Sequence, residues 1–278
     1  MSAVASQPAP VTRPRSRGLA LRGTSLMYLA VLVLVPVLVI VQDGFRGGWG
    51  EFWRQINLPL AANAIWLTLW TSALMTVINA VMGLATAYVL VRYEFPGKGL
   101  LNAIVDLPLA IPTLVTGVML VILFGPQEAL GAFLKDRLGL EIIFAPPGIV
   151  LALMFVTLPF VVRTVQPVLM QADLAQERAA ATLGAGGWTI FRRIVFPRLL
   201  LPLINGSLLA FARAIGEFGS IVIVSGNIPL HTQTAAVYVW GEVESENRLG
   251  ASAVSIVLMA VAFGVMWVSD WFFRSRER

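Results

Sequence analysis

The stretch Gln171–Pro202 reads QADLAQERAAATLGAGGWTIFRRIVFPRLLLP, and it separates two long apolar segments of the chain. It is too polar to cross a bilayer, since a membrane helix needs about 20 mainly apolar residues. Its helix formers and glycines are also too regularly placed for a loose loop. We therefore expect an ordered element outside the membrane, tied at both ends to membrane helices.

Local signals in this stretch predict two short helices joined by a sharp turn. Asp173 is placed to cap a helix over Leu174–Leu183, because its carboxylate can accept hydrogen bonds from the first backbone N–H groups. Gly184 and the pair Gly186-Gly187 end that helix and permit the turn. A second helix from Trp188 carries its large apolar side chains on one face. The predicted shape is a rigid elbow whose apolar surface indicates a partner groove.

The rest of the chain is unusually apolar for its length. Hydrophobic residues make up 58% of the 278 positions and charged residues only 13%, and the mean hydropathy is +0.81. A soluble domain has roughly 25% charged residues, so this chain has too few charges to cover a water-exposed surface. The bilayer is the better solvent for it.

Six segments have the length and apolarity of a membrane helix. The third carries Pro108 and Pro112 and the fourth carries Pro159 and Pro167, and such prolines kink membrane helices, which suits a protein that opens and closes. Pro197 marks the approach to the fifth. The predicted fold is an all-α polytopic membrane protein of about six transmembrane helices, at Ser25–Val41, Ala61–Val91, Leu100–Phe124, Gly148–Met170, Leu201–Val224 and Ala251–Phe273.

The distribution of Lys and Arg predicts that both termini are cytoplasmic, because cytoplasmic loops carry an excess of these residues. Of the 20 Lys and Arg residues, five fall on the outer side and Arg213 lies inside a membrane segment. The elbow then faces the cytoplasm. Fourteen share the side of the N-terminus, namely Arg13, Arg15, Arg17, Arg22, Arg92, Lys98, Arg163, Arg178, Arg192, Arg193, Arg198, Arg274, Arg276 and Arg278.

The first 23 residues are predicted to form a disordered cytoplasmic N-terminus, because a stretch rich in Ser, Pro, Ala and Arg buries too little surface to fold. This stretch also resembles the basic n-region of a signal peptide. However, Ser25–Val41 is long and no A-x-A-like cleavage site ends it, which favours a retained anchor helix. The expected boundaries are a membrane domain over 24–273, with its elbow at 171–202, and a cytoplasmic tail over 274–278.

Missing motifs exclude several functions. No G-x-x-x-x-G-K-[ST] motif occurs, because Arg92 stands where the first glycine is needed before Gly97-Lys98, so the chain has no ATP site of that kind. With one histidine, His231, there is no H-E-x-x-H, and no G-x-S-x-G is present. There is no cysteine, and the basic residues are not interleaved with aromatics as in nucleic-acid binders. We expect no enzyme activity, no cofactor, no metal and no nucleic acid.

The elbow resembles the EAA loop of ABC importer permeases, E-A-A-x-x-x-G-x(9)-I-x-L-P. The alanines match Ala179 and Ala180, the glycine matches Gly184, and after nine intervening residues the closing motif begins at Ile194 and ends at Pro197. A loop lying flat on the bilayer surface is the alternative interpretation. The ATPase-coupling residues that the resemblance implies are Glu177, Arg178, Ala179, Ala180, Gly184, Ala185, Ile194 and Pro197.

The loop departs from this pattern at two positions. Arg178 stands where the family has glutamate, with Glu177 one residue earlier, and Phe196 replaces the usual leucine. The contact assigned to that glutamate therefore does not carry over directly. Either Glu177 serves instead, or Arg178 pairs with an acid on the partner.

Charged residues inside the apolar segments are candidates for the pathway or its gate. Arg213 and Glu217 are four apart, so they share a helical face and can pair. A charge at mid-bilayer costs about 2.5–3.5 kcal/mol, so the pair should face protein or a water-filled pathway. It either fixes helix packing or lines the conduit. Asp106 is the third candidate, or else a charge near the cytoplasmic interface, while Arg163 is expected to be a snorkelling anchor.

Five further stretches are similar to the T-type permease subunit of bacterial sulfate/thiosulfate importers. Molybdate permeases share the G-E-F-G element, so a molybdate or other oxyanion permease stays an alternative. An ion-coupled secondary transporter is the alternative of another class, but chains of intramembrane carboxylates or histidines and inverted repeats are missing. The stretches are RYEFPGK at 92–98, DLPLAIP at 106–112, LPFVVRTVQP at 158–167, FARAIGEFG at 211–219 and VSGNIP at 224–229.

This resemblance implies a type I ABC importer permease of MetI-like architecture in the bacterial inner membrane. Its expected partners are ABC ATPase subunits on the elbows, a second homologous permease subunit, a periplasmic sulfate-binding protein and membrane lipid. ATP is then hydrolysed by the ATPase subunits and not by this chain.

Overall fold

The structure is a computed structural model that describes the backbone of residues 15–274 and the side chains of residues 22–271. Within these residues the regular secondary structure is entirely helical. Twelve helices follow in order: α1, which comprises Arg15–Leu29, a π-helical turn at Ala30–Leu34 and Val35–Gly44; α2, Gly48–Ile56; α3, Pro59–Arg92; α4, Lys98–Ala110; α5, Thr113–Phe124; α6, Ala129–Leu138; α7, Pro146–Met170; α8, Leu174–Thr182; α9, Gly187–Ile215; α10, Gly219–Val224; α11, Ala235–Glu244; and α12, Arg248–Arg274.

Five of these helices are long and apolar enough to cross a membrane, namely α1, α3, α7, α9 and α12. A sixth span is available if α4 and α5 are taken together, although the two are bent by 116° relative to each other. The predicted all-α fold with about six transmembrane helices is confirmed, with five to six candidate spans among the described residues.

The third predicted span, Leu100–Phe124, is wrong as a single kinked helix. It is broken between α4 and α5, because Pro112 has no N–H to continue the helix and forces the residue before it out of the helical region. Ile111 is accordingly extended, with φ −84° and ψ 131°. Pro108 lies inside α4 and does not end it.

The two pieces of this broken span contact α7 at separate places. Val105 of α4 packs in one buried cluster with Val161 and Val165 of α7. Leu120 of α5 packs in another cluster with Ile149, which lies near the opposite end of α7. The two pieces therefore contact α7 towards opposite ends, although the 116° bend between them gives them different directions.

The fifth predicted span, Leu201–Val224, also differs from the structure at both ends. The helix begins far earlier, at Gly187, so Pro197 lies within it and not at a boundary. The π-helical turn Phe191–Val195 directly precedes Pro197 and accommodates the ring, which would clash with the carbonyl four residues back. The helix ends at Ile215, and a short break separates it from α10.

The breaks in the two spans lie against each other. A Cβ on Gly219, the first residue of α10, would lie 2.2 Å from Oγ1 of Thr113, the first residue of α5. A Cβ on Gly117 would lie 2.8 Å from the carbonyl oxygen of Ser220. These glycines allow the close backbone approach that small residues give in membrane interiors.

Helix α7 is the centre of the packing, with α3 and α9 beside it. Between α3 and α7, the Asn79 amide donates to the Thr157 hydroxyl at 2.9 Å and to the carbonyl of Met154 at 3.0 Å. Such interhelical hydrogen bonds hold membrane helices together where lipid offers no alternative partner. Helix α1 contributes little to this core and packs on α12 near Gly44.

The segment between α10 and α12 folds back onto the N-terminal half of α3. The N–H of Ala235, at the start of α11, donates to the Thr68 hydroxyl at 2.8 Å. Tyr238 is buried there, and that burial raises the pKa of its phenol to about 12. This segment therefore closes one end of the helix bundle.

The predicted termini fall partly outside the described residues. Of the 23 residues expected to be disordered, 1–14 lie outside, whereas helix α1 already begins at Arg15. Its first turns contain Leu and Ala, which extend a helix readily once the apolar part has nucleated it. Of the expected tail, residues 275–278 lie outside the described part.

The contact between the two breaks predicts that Gly→Ala lowers the stability of the protein at Gly117 but not at Gly264. Gly117→Ala introduces a methyl group against Ser220 and Ile223, which overpacks the interface. We expect the thermal unfolding midpoint of the purified protein in detergent to fall by about 2 °C or more. Gly264→Ala in α12 adds the same methyl group in open space, and its better helix propensity should leave the midpoint unchanged or higher. A midpoint for Gly117→Ala that is not lower would contradict this packing.

Candidate coupling site and intramembrane charges

The elbow has the predicted cap and turn. Oδ1 of Asp173 accepts a hydrogen bond from the Ala175 N–H at 2.8 Å and so caps α8. At the other end, the N–H groups of Gly184 and Ala185 donate to carbonyls of the last helical turns at 2.9 and 3.0 Å. Gly184 has φ +84°, a left-handed conformation that favours glycine.

The second arm of the elbow is the beginning of α9, and it continues into the membrane without interruption. Its rings pack together and against α3: Trp188 stacks on Phe191 at 5.6 Å between ring centroids, and Phe191 meets Tyr88 edge-on at 5.4 Å. The predicted separate helix between Trp188 and the fifth span is therefore wrong. Continuous helix makes this arm a rigid extension of the span itself.

An ion pair fastens the first arm of the elbow to α3. Arg92, the last residue of α3, donates to the carboxylate of Glu177 in α8, and both side chains are largely buried, at 13% and 18% exposure. A second tie joins α8 to α9, where Arg198 donates to the side-chain carbonyl of Gln176. Both arms are thus held to the membrane helices as well as to each other.

The remaining predicted coupling residues lie on the surface of the elbow. Arg178, Ala179, Gly184 and Pro197 are exposed, while Ala180, Ala185 and Ile194 are half-buried. Two large apolar side chains stand out from the same element, Leu183 at 89% and Trp188 at 72% exposure. Such side chains on a projecting element are typical of a protein–protein contact.

Arg213 and Glu217 form the predicted ion pair, at 2.8 Å between Nη2 and Oε2. Glu217 does not lie on the helix, however, but in the break that follows Ile215. Its Oε1 accepts from both the N–H and the hydroxyl of Ser220 at 3.0 Å. The Glu217 side chain is 1% exposed and that of Arg213 37%. Glu217 therefore stabilises the break and holds Arg213, whose guanidinium is the accessible end of the pair.

Asp106 pairs with Arg163, which is not the snorkelling anchor that we expected. The guanidinium donates to both carboxylate oxygens, at 2.7 and 2.5 Å. It also donates to the Asn102 carbonyl at 3.0 Å and to the side chains of Asn102 and Gln166. Bidentate geometry of this kind favours a specific clamp, here between α4 and α7.

The three intramembrane candidates therefore do not form one site. Arg213 and Glu217 lie at the break between α9 and α10, whereas Asp106 lies on α4 beside the far half of α7. Sequence reasoning missed Arg92 and Arg163 as partners because they were assigned as membrane-flanking charges. Their partners are 85 and 57 residues away, so no local spacing indicates the pairs. Among the described residues, no three His, Asp or Glu side chains are grouped as a metal site.

Known proteins are similar to this chain over most of its length. A family model described as "Binding-protein-dependent transport system inner membrane component" matches residues 79–278. The "Probable sulfate transport system permease protein cysT" of Zygnema circumcarinatum is 38% identical over 253 residues, which is 91% of this chain and 88% of that protein. The "Sulfate transport system permease protein CysT" of Escherichia coli strain K12 is 36% identical over 240 residues, 86% of each.

Solved structures share the fold at low sequence identity. A chain of a bacterial ABC transporter involved in the import of the acidic polysaccharide alginate superposes with a TM-score of 0.76 at 17% identity, over 94% of this chain and 96% of that one. A chain of the MetNI methionine ABC transporter in an inward-facing conformation gives 0.57 at 17% identity, over 78% and 95%. The chain belongs to the family of binding-protein-dependent transport system inner membrane components.

Proposed function

We propose that this chain is the sulfate/thiosulfate permease subunit of a type I ABC importer and forms half of its translocation pathway. The observation that carries the proposal is the elbow of α8 and the start of α9, which is tied to membrane helices and exposes Leu183 and Trp188. Such a surface fits a soluble motor subunit. The names of the relatives at 36–38% identity supply the substrate.

The proposal places the chain in the bacterial inner membrane with both termini in the cytoplasm. The excess of Lys and Arg on the side of the N-terminus supports this orientation. Counting α4 and α5 as one broken span gives six crossings, which return the chain to the side on which it began. The elbow then faces cytoplasmic ATPase subunits, and the opposite face receives a periplasmic sulfate-binding protein.

Force from the ATPase subunits has two direct routes into the membrane. Helix α9 runs unbroken from the elbow at Gly187 to Ile215, next to the break. The ion pair between Arg92 and Glu177 connects α8 to α3. Movement of the elbow is therefore transmitted to α3 and α9 together, and through α9 to Arg213.

The accessible guanidinium of Arg213 is the proposed contact for the passing oxyanion. A lone Arg in a lipid-facing position would be costly, and Glu217 neutralises part of its charge, so the site attracts an anion without trapping it. Transit requires binding that is weak enough for release. Specificity for sulfate then lies mainly in the binding protein.

Asp106 and Arg163 are proposed to act in gating. Their bidentate pair fixes α4, the detached half of the third span, to α7. A second permease subunit, homologous to this chain, completes the conduit. The clamp keeps the half-helix in register while the two subunits move apart.

The proposed assembly is tested by purification and growth. We expect the tagged chain, expressed with its neighbouring transport genes, to retain an ABC ATPase subunit in mild detergent. A deletion strain should fail on limiting sulfate or thiosulfate and grow on limiting molybdate. The reverse growth pattern indicates the molybdate permease alternative, and transport without any ATPase subunit indicates an ion-coupled carrier.

The turn at Gly184 predicts that its conformation, and not the space around it, matters for coupling. No heavy atom lies within 4 Å of a Cβ at either Gly184 or Gly186, but only Gly184 has a positive φ. Gly184→Val is expected to uncouple ATP hydrolysis from sulfate uptake while the protein still inserts, because a β-branched residue strongly disfavours this conformation. The assay is uptake per ATP hydrolysed in membrane vesicles.

Gly186→Val is the matched control and should keep coupling near the wild-type value. Unchanged uptake in Gly184→Val contradicts the rigid elbow. Equal loss in both variants shows that the partner rejects the added volume and that the turn conformation is irrelevant.

The ion pair between Arg213 and Glu217 predicts that substitutions can restore stability without restoring transport. Arg213→Met leaves Glu217 as a buried unpaired charge, so the amount of folded protein should fall. Arg213→Met with Glu217→Gln removes both charges and keeps an acceptor for Ser220, so folded protein should recover. Sulfate uptake should stay low in this double variant. The measurements are membrane protein level and initial uptake rate.

The control is the exposed pair of Glu51 and Arg54 on the proposed outer side, 2.5 Å apart. Arg54→Met, alone or with Glu51→Gln, should change neither protein level nor uptake rate. Normal uptake by the Arg213 and Glu217 double variant would contradict the pathway role and leave helix packing as the only function of the pair.

A further inference from the structure

The outward face of α8 differs in charge from its inward face. Glu177 and Ala180 are partly covered and face the membrane helices, whereas Arg178 is exposed on the opposite side. Leu174 and Ala181, four residues before and three after Arg178, are also exposed. Residues at these spacings share one face of a helix. The face that a partner meets therefore carries arginine.

The neighbouring carboxylate is already engaged within the chain. Glu177 accepts from Arg92 in an ion pair that is largely withdrawn from solvent. Its use by a partner would require this pair to break and would leave Arg92 uncompensated, which is costly at a largely buried position. The structure thus excludes Glu177 as the outward contact in this conformation.

The exposed charge of the elbow is mainly cationic, with Asp173 as its one exposed carboxylate. Between residues 171 and 198 the sequence contains only two carboxylates, Asp173 and Glu177. Asp173 caps α8 and Glu177 is paired. Arg178, Arg192 and Arg193 are exposed, and within the described part of the chain no side-chain ion pair holds Arg178. The elbow therefore presents a positive surface around its two exposed apolar side chains.

We propose that Arg178 is the charged contact between this chain and its ATPase subunit, and that the ATPase subunit presents a carboxylate at that point. The polarity of this contact is the reverse of the one that the E-A-A pattern implies. This inference rests on the proposed function, since it names the chemistry of the partner at the same coupling surface.

The consequence is selectivity between ATPase subunits. A guanidinium recognises a carboxylate through two parallel hydrogen bonds, which a lysine ammonium does not reproduce. A groove lined by basic residues, suited to a glutamate on the elbow, meets like charge here and is rejected. The chain would then assemble with its own ATPase subunit and not with one built for the usual motif.

The test is retention of the ATPase subunit by the intact complex, purified in mild detergent at low and high salt. Arg178→Glu is expected to reduce the ATPase subunit retained per permease by about tenfold or more, and Arg178→Lys to reduce it less. Arg137→Glu, at an exposed position on α6 on the proposed outer side, makes the same charge change and should retain the wild-type amount. Retention by Arg178→Glu equal to wild type overturns the inference.

Two neutral variants distinguish Arg178 from Glu177 as the charged contact with the ATPase subunit. Arg178→Gln should lose more ATPase subunit than Glu177→Gln, which keeps an acceptor for Arg92. The opposite order identifies Glu177 as the contact and overturns the inference.

Suppressor selection identifies the partner group directly. In a strain with Arg178→Glu, growth on limiting sulfate should be restored by an Asp or Glu to Lys change in the ATPase subunit. Suppressors found only at Lys or Arg positions of that subunit contradict the proposed polarity. If the wild-type chain itself retains no ATPase subunit, the proposed function fails, which is distinct from the failure of this inference.

Discussion

The ion pair between Arg92 and Glu177 is the interaction on which the position of the elbow depends. It joins the end of a 34-residue membrane helix to a nine-residue helix outside the membrane. A helix of nine residues has little stability of its own in water. The ion pair, the Asp173 cap and the tie from Arg198 to Gln176 make α8 a fixed part of the membrane domain. In the proposed mechanism the elbow transmits force because it is fastened to α3 and α9.

The breaks in the membrane helices are the second constraint. In hydrocarbon, a backbone that leaves the helix must satisfy its polar groups inside the protein. At the break after Ile215, Glu217 accepts hydrogen bonds from the Ser220 N–H and hydroxyl. Gly219 packs directly on Thr113 of the other broken span. Arg213 is thereby positioned at the inner end of a helix of about 43 Å that begins at the elbow. The proposed coupling surface and the proposed pathway thus lie at the two ends of one continuous helix.

The sequence predicts the part of this structure that depends on local signals and on partitioning into the bilayer. The length of the apolar segments located five of the membrane helices, and Asp173 and Gly184 located the cap and the turn of the elbow. The start of α9 was missed because Pro197 resembles a boundary, and only the π-helical turn before it lets the helix continue. The pairing of Asp106 with Arg163 was missed because ion pairs between distant helices depend on packing, which leaves no periodic signal.

The central claim is that this chain passes sulfate only when ATP hydrolysis moves its elbow. The most direct measurement is uptake of radiolabelled sulfate into proteoliposomes that contain this chain with its partner permease and ATPase subunit, in the presence of the binding protein. Uptake should require ATP inside the liposomes and should persist when ionophores collapse the ion gradients. Uptake that proceeds without ATP and stops with the ion gradient would contradict the account.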